Sequence, residues 1–114
     1  MLDGMNQSSF TNGLPELLIL RLLSSGEKYG YQLVSEIAKS SAERIRFSEG
    51  CIYPVLHRLE AKGLLATREE EVAGRIRRYY RLGAKGQKRL NMLLDELRAV
   101  NHAVETIGGM GYAL

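Results

Sequence analysis

Cysteine occurs once, at Cys51, histidine twice, at His57 and His102, and tryptophan not at all. A single thiol cannot close an internal disulfide or build a cysteine-based zinc site. Two histidines far apart in the chain, without companion ligands, predict no metal. No cofactor is expected. The longest apolar run, Leu17 to Leu20, falls far short of a membrane span. A basic start followed by an apolar run is also missing, so no secretory signal is expected. Nor is there a nucleophile–base pair, a glycine-rich phosphate loop or a pair of carboxylates on one face, which speaks against an enzyme. What remains is a cytoplasmic chain of 114 residues, 45% apolar and 25% charged, long enough for one domain with a modest core.

Charge is present but uneven. The net charge is only +3. Residues 44–89, however, hold twelve lysines and arginines against five acids, a balance of +7, and each flank carries −2. A basic stretch of this kind is the electrostatic footprint of nucleic-acid binding. The blander reading is a solvated arginine-rich surface, and the pattern of elements has to decide between them.

Residues 48–65, SEGCIYPVLHRLEAKGLL, open that stretch. Ile52, Val55, Leu56 and Leu59 recur at three- and four-residue steps and make one apolar helical face. Gly50, Tyr53, Pro54, His57 and Arg58 fall on the other side, which carries no acid after Glu49. Ser48 suits the N-cap, and Gly63 ends the helix. Pro54 would block a hydrogen bond in a helix interior, so the regular helix begins only near Cys51 or is kinked there. An apolar back with a cationic, hydrogen-bonding front suits a DNA major groove. Cys51 reads first as a half-buried helix residue and second as a redox-sensing thiol near a helix N-terminus.

The next segment, LLATREEEVAGRIRRYYRL over residues 64–82, reads as two strands around a turn at Ala73-Gly74. In its second arm Arg77, Tyr79 and Arg81 share one face; Arg78, Tyr80 and Leu82 share the other, with Tyr80 and Leu82 toward the core. Upstream, Pro15 opens a helix to about Leu23 that is apolar nearly all round, so it is buried on more than one side, most simply by another subunit. A polar break over residues 24–28 precedes a helix from about Gly30 to Ala38, with Leu33 and Ile37 inward. Ile45 and Phe47 tuck under the reading helix. Downstream of the hairpin, Gly83 begins the last helix. Its Leu90, Leu93, Leu97, Val100, Val104 and Ile107 step by 3, 4, 3, 4, 3, a heptad seam. The seam predicts pairing with a second copy of the chain, contact with the first helix, or both.

The expected fold class is mainly α with a small β hairpin: a winged helix-turn-helix plus a long C-terminal dimerisation helix. A mobile leader covers residues 1–13, the winged helix-turn-helix 14–82, the dimerisation helix 83–107 and a tail 108–114. In such a fold the third helix enters a groove and the hairpin grips the backbone beside it. The expected DNA contacts are Ser48, Tyr53, His57 and Arg58 from the helix and Arg75, Arg77 and Arg78 from the wing. Tyr53 has an equal alternative in packing, and Arg78 shares its face with core residues. A winged helix that docks proteins without touching DNA is the rival reading, and the +7 segment argues against it.

The segments LPELLILRLLSSGEKYGYQL, FSEGCIYPVLHRLEAKGLL and GRIRRYYRLGAKGQKRL, in this order, resemble the PadR family of bacterial transcription regulators. The resemblance spans about Leu14 to Leu90, and its most specific parts are Tyr53 to Gly63 and the Tyr-Tyr-Arg-Leu of Tyr79 to Leu82. The length fits the branch with a single C-terminal helix. The resemblance implies a homodimeric repressor on double-stranded DNA, its reading helices in successive major grooves of a palindromic operator. It also implies a small-molecule effector, phenolic or flat and apolar, held between the long helices. Phe10, Glu16, Leu93, Leu97 and Asn101 are the residues of this chain expected near it. Where some relatives carry a tryptophan in that seam, this chain has Leu97; where the family usually has a capping threonine, it has Gly83.

Overall fold

The computed structural model describes residues 13–108. Residues 1–12 of the expected leader, Phe10 among them, and the tail beyond Gly108 lie outside the described residues. The elements run α1 (Gly13–Leu23), β1 (Lys28–Tyr29), α2 (Gly30–Ser40), α3 (Glu49–Ala61), β2 (Leu65–Val72), β3 (Arg75–Leu82) and α4 (Ala84–Gly108). This is the winged helix-turn-helix with a long last helix. One element departs from the expected hairpin. Lys28–Tyr29 is a strand rather than part of a polar break, and it pairs antiparallel with β3, so the sheet has three strands in the order β1-β3-β2. Two residues are too few to show any hydrophobic period.

The core is built by the predicted stripes. Ile19, Leu20 and Leu23 of α1, Leu33 and Ile37 of α2, and Ile52, Val55, Leu56 and Leu59 of α3 are all buried. Leu65 and Tyr80 close it from the sheet and Leu90 from α4, while Ile45 and Phe47 pack at its edge. Ser48 caps α3, its Oγ accepting the Cys51 N–H at 3.2 Å. The far end is a Schellman turn: Gly63 has φ +77°, its N–H donates to the Glu60 carbonyl, and the Leu64 N–H donates to that of Leu59. Pro54 does not delay the helix, which starts at Glu49. Its missing bond falls on the carbonyl of Gly50, an exposed residue in the first turn where water can serve.

β2 and β3 pair without slip from Leu65↔Leu82 to Val72↔Arg75. Ala73 and Gly74 both have positive φ, 52° and 79°. That is the type I′ geometry whose twist suits a tight hairpin. The N–H of Gly83 then donates to the Leu64 carbonyl at 3.0 Å, and α4 leaves with Gly86 seated on that same carbonyl. At about 1.5 Å per residue, the 25 residues of α4 far outrun the core. The molecule accordingly measures 57 × 28 × 27 Å. Leu97, Val100, Val104 and Ile107 stand 39%, 53%, 54% and 86% exposed along the projecting part. No helix among the described residues is long and apolar enough to cross a membrane.

A Cβ on Gly86 would overlap the Leu64 carbonyl and crowd Leu82. Gly86→Ala is therefore expected to lower stability by about 1–3 kcal/mol, as overpacking does, in urea unfolding followed by circular dichroism. An unchanged midpoint would contradict this seating of α4.

Candidate nucleic-acid interface

Burial of one stripe of α3 leaves the opposite face in water. His57 and Arg58 are exposed there, and Arg58 enters no ion pair among the described residues. Ser48 is exposed at the N-terminus of the same helix. Its cap bond uses one acceptor site and leaves the hydroxyl proton free to donate. Tyr53 is half-buried. It packs over Gly30, where a Cβ would overlap its ring. Burial first, and the Glu49 carboxylate second, push its hydroxyl pKa above the ordinary tyrosine value, so it is a neutral donor.

The wing treats its arginines in three ways. Arg78 is ion-paired, with Glu60 at 2.7 Å and Glu69 at 3.3 Å. The same Glu60 accepts from the Thr67 hydroxyl at 3.2 Å, so the end of α3 is tied to both wing strands. Arg68 is likewise neutralised by Glu27 and Glu70. Its hydrogen bonds hold the Glu27 carboxyl below the usual carboxylate range. Arg77 instead lies on an aromatic face, its guanidinium carbon 4.1 Å from the centre of the Tyr29 ring. Arg75, beside the turn, is exposed and has no ion pair among the described residues.

Between the wing tip and the start of α2 these side chains border a groove of about 540 Å³, with Tyr29, Tyr31, Tyr53, Arg75, Arg77 and Arg78 in its wall. The seven expected DNA contacts thus fall into two groups. Ser48, His57 and Arg58 lie along the exposed face of α3, and Arg75, Arg77 and Arg78 line the groove beside it. Tyr53 joins the groove. Tyr29 and Tyr31 were not expected in it. The sequence signal for them is the Lys-Tyr-Gly-Tyr run just before α2, an aromatic pair flanking the helix start.

The residues expected near an effector separate. Leu93 and Leu97 border an apolar groove of about 280 Å³ between α1 and α4, with Leu14, Leu17, Leu18 and Val100. Glu16 does not face that groove as a free acid; it accepts from Arg89 at 2.9 Å. That bond ties the first turn of α1 to α4, a contact across 73 positions of chain. Asn101 is exposed and forms no part of the groove wall. No group of three or more histidine, cysteine or carboxylate side chains among the described residues is placed to hold a metal ion.

Removing the α3 cap tests the local geometry directly. Ser48→Ala is expected to cost about 1 kcal/mol in chemical unfolding, with Ser48→Asp close to the parent. Equal stability of all three proteins would contradict the cap.

A sequence model of the transcriptional regulator PadR-like family matches residues 19–92. The Mycobacterium tuberculosis transcriptional regulator Rv3488 is 36% identical over 104 residues, which cover 90% of this chain and 92% of the relative. Among solved structures, a transcriptional regulator from Clostridium thermocellum aligns with a TM-score of 0.79 at 24% identity, covering 93% of this chain and 97% of that one. At that identity the likeness is one of fold. Bacillus subtilis PadR, solved in complex with operator DNA, aligns with a TM-score of 0.67 at 26% identity over 71% of this chain and 46% of that one.

Proposed function

The chain belongs to the PadR-like family of transcriptional regulators, a family of regulators rather than enzymes, and on that premise we propose that it is a cytoplasmic, homodimeric repressor of a palindromic operator, released by a small apolar or phenolic effector. The observation that carries the DNA half is the pairing of an exposed α3 face that carries no acid after Glu49 with an adjoining arginine-lined groove. α3 enters the major groove. There Arg58 takes a guanine edge or a phosphate, and His57 contacts base edges. Ser48, Tyr53 and the wing arginines hold the phosphates that fix register.

The dimer half rests on α4. Its seam leaves Leu97, Val100, Val104 and Ile107 in water in the single chain. Burying side chains of this size is worth about 1.5–3 kcal/mol each. A second copy, antiparallel or parallel along the seam, covers them and sets the spacing of the two reading helices. The apolar groove at Leu93 and Leu97 adjoins the seam, so a ligand seated there bears on that spacing. It acts only by binding one spacing better than the other.

Two measurements test this. Duplex binding across a salt series is expected to weaken steeply, and Arg75→Ala is expected to lessen the slope by about one phosphate contact, near 0.9. Absence of duplex binding at low salt would sink the DNA reading in favour of a protein-docking winged helix. For the dimer, Val104→Asp places a charge in the seam. It is expected to shift sedimentation from dimer to monomer and to weaken operator binding with it, whereas a parent protein that sediments as a monomer would overturn this half.

A further inference from the structure

Four side chains on the outer face of the sheet form a continuous stack. The register places Tyr29 opposite Tyr79 and Arg68 opposite Tyr79 from the other side. The Tyr29 and Tyr79 rings meet edge to face, centroids 5.7 Å apart, a favoured aromatic geometry. The Arg68 guanidinium lies 4.4 Å from the Tyr79 centroid, and the Arg77 guanidinium 4.1 Å from that of Tyr29. The two ends differ in one respect. Arg68 is neutralised by Glu27 and Glu70. Arg77 has no ion pair among the described residues, although Glu70 is its cross-strand partner. Glu70 is engaged by Arg68 at 2.7 Å.

The geometry points to Tyr29 as a positioning residue for DNA binding: its ring holds the Arg77 guanidinium at the wing groove without tying it up in an ion pair. This inference rests on the DNA reading above. An arginine held by a carboxylate is ordered but loses its pull on a phosphate. One in free solution keeps its charge but gives up side-chain entropy on binding. Stacking on a ring orders the planar fork and leaves its N–H donors available at the edges for a bidentate phosphate contact. Of the wing arginines, Arg68 and Arg78 are in the first state. Arg75 and Arg81 carry neither an ion pair nor a ring contact among the described residues. Arg77 alone among them combines order with free charge. The engagement of Glu70 by Arg68 completes the device, because this cross-strand acid then forms no ion pair with Arg77.

The test uses the full chain and a labelled mixed-sequence duplex of about three helical turns, since phosphate contacts are independent of sequence. Tyr29→Phe, which retains the ring, is expected to bind as the parent does. Tyr29→Leu is expected to bind about two- to fivefold more weakly, the worth of an exposed cation–π contact. In an Arg77→Ala background Tyr29→Leu is expected to have no further effect, a dependence that a general loosening of the fold would not produce. Thermal unfolding checks that each variant is folded. Should Tyr29→Leu not fold, Arg77→Lys replaces it: lysine retains the charge but not the stacked planar fork, and the same two- to fivefold loss is expected. Parent-like binding by Tyr29→Leu, or an equal loss with and without Arg77, overturns the assignment alone; parent-like binding by Arg77→Lys does so where that variant is needed. Failure of the parent protein to bind duplex at any salt concentration overturns the assignment and the DNA reading together.

Discussion

Everything at the interface depends on the burial of one stripe of α3. Ile52, Leu56 and Leu59 are wholly inaccessible and Val55 nearly so, packed among Leu20, Leu33 and Tyr80. Each such side chain contributes about 1.5–3 kcal/mol on burial, so together they pin the rotation of the helix about its axis. A turn of the helix that hid Arg58 would place a guanidinium in the core and a leucine in water. The exposed face is therefore a consequence of the core. The Ser48 cap and the left-handed Gly63 fix where the helix begins and ends. Gly63 and Leu64 carry the chain straight into the wing, whose first residues are themselves core.

The wing is more than a basic arm. Its first strand carries three consecutive glutamates, residues 69–71, opposite an arginine-rich second strand. Paired without discrimination, the two would cancel. The side chains instead sort themselves. Glu60 and Glu69 engage Arg78, and Glu27 and Glu70 engage Arg68. Exposed pairs of this kind add little stability, about 0–1 kcal/mol each. Their importance here is geometric. They brace the wing against the end of α3 and the start of β1, and they leave Arg75, Arg77 and Arg81 outside the neutral set.

Much of this was legible from residue order. The α3 stripe, the Ala73-Gly74 turn, the inward Tyr80 and the heptad seam follow from periodicity and turn chemistry, because each is encoded within a few neighbouring residues. What escaped was non-local. Strand β1 has two residues and no period to detect, yet it supplies the ring on which Arg77 rests. Glu16, expected near an effector, instead pairs with Arg89, 73 positions away in the chain. Pro54 reads as a helix barrier, but its cost falls on a first-turn carbonyl within reach of water. Alternation alone puts Arg77 and Arg78 on opposite faces, but that one is stacked and the other ion-paired follows from Tyr29 and Glu60, far away in the chain.

The long helix joins these local features into one regulator. Its base is fixed by Gly86 against Leu64 and by Arg89 against Glu16, and its apolar seam runs outward from that base. In the proposed dimer, pairing along the seam would carry two copies of α3 on one frame, and a change at the seam would be transmitted as a change in their spacing. Hydroxyl-radical footprinting of the protein on the promoter of its own gene tests this frame most directly. The account predicts two protected patches related by a dyad, centred about one helical turn or a multiple of it apart on one face of the duplex. A single protected patch, or uniform protection without a dyad at saturating protein, would contradict it.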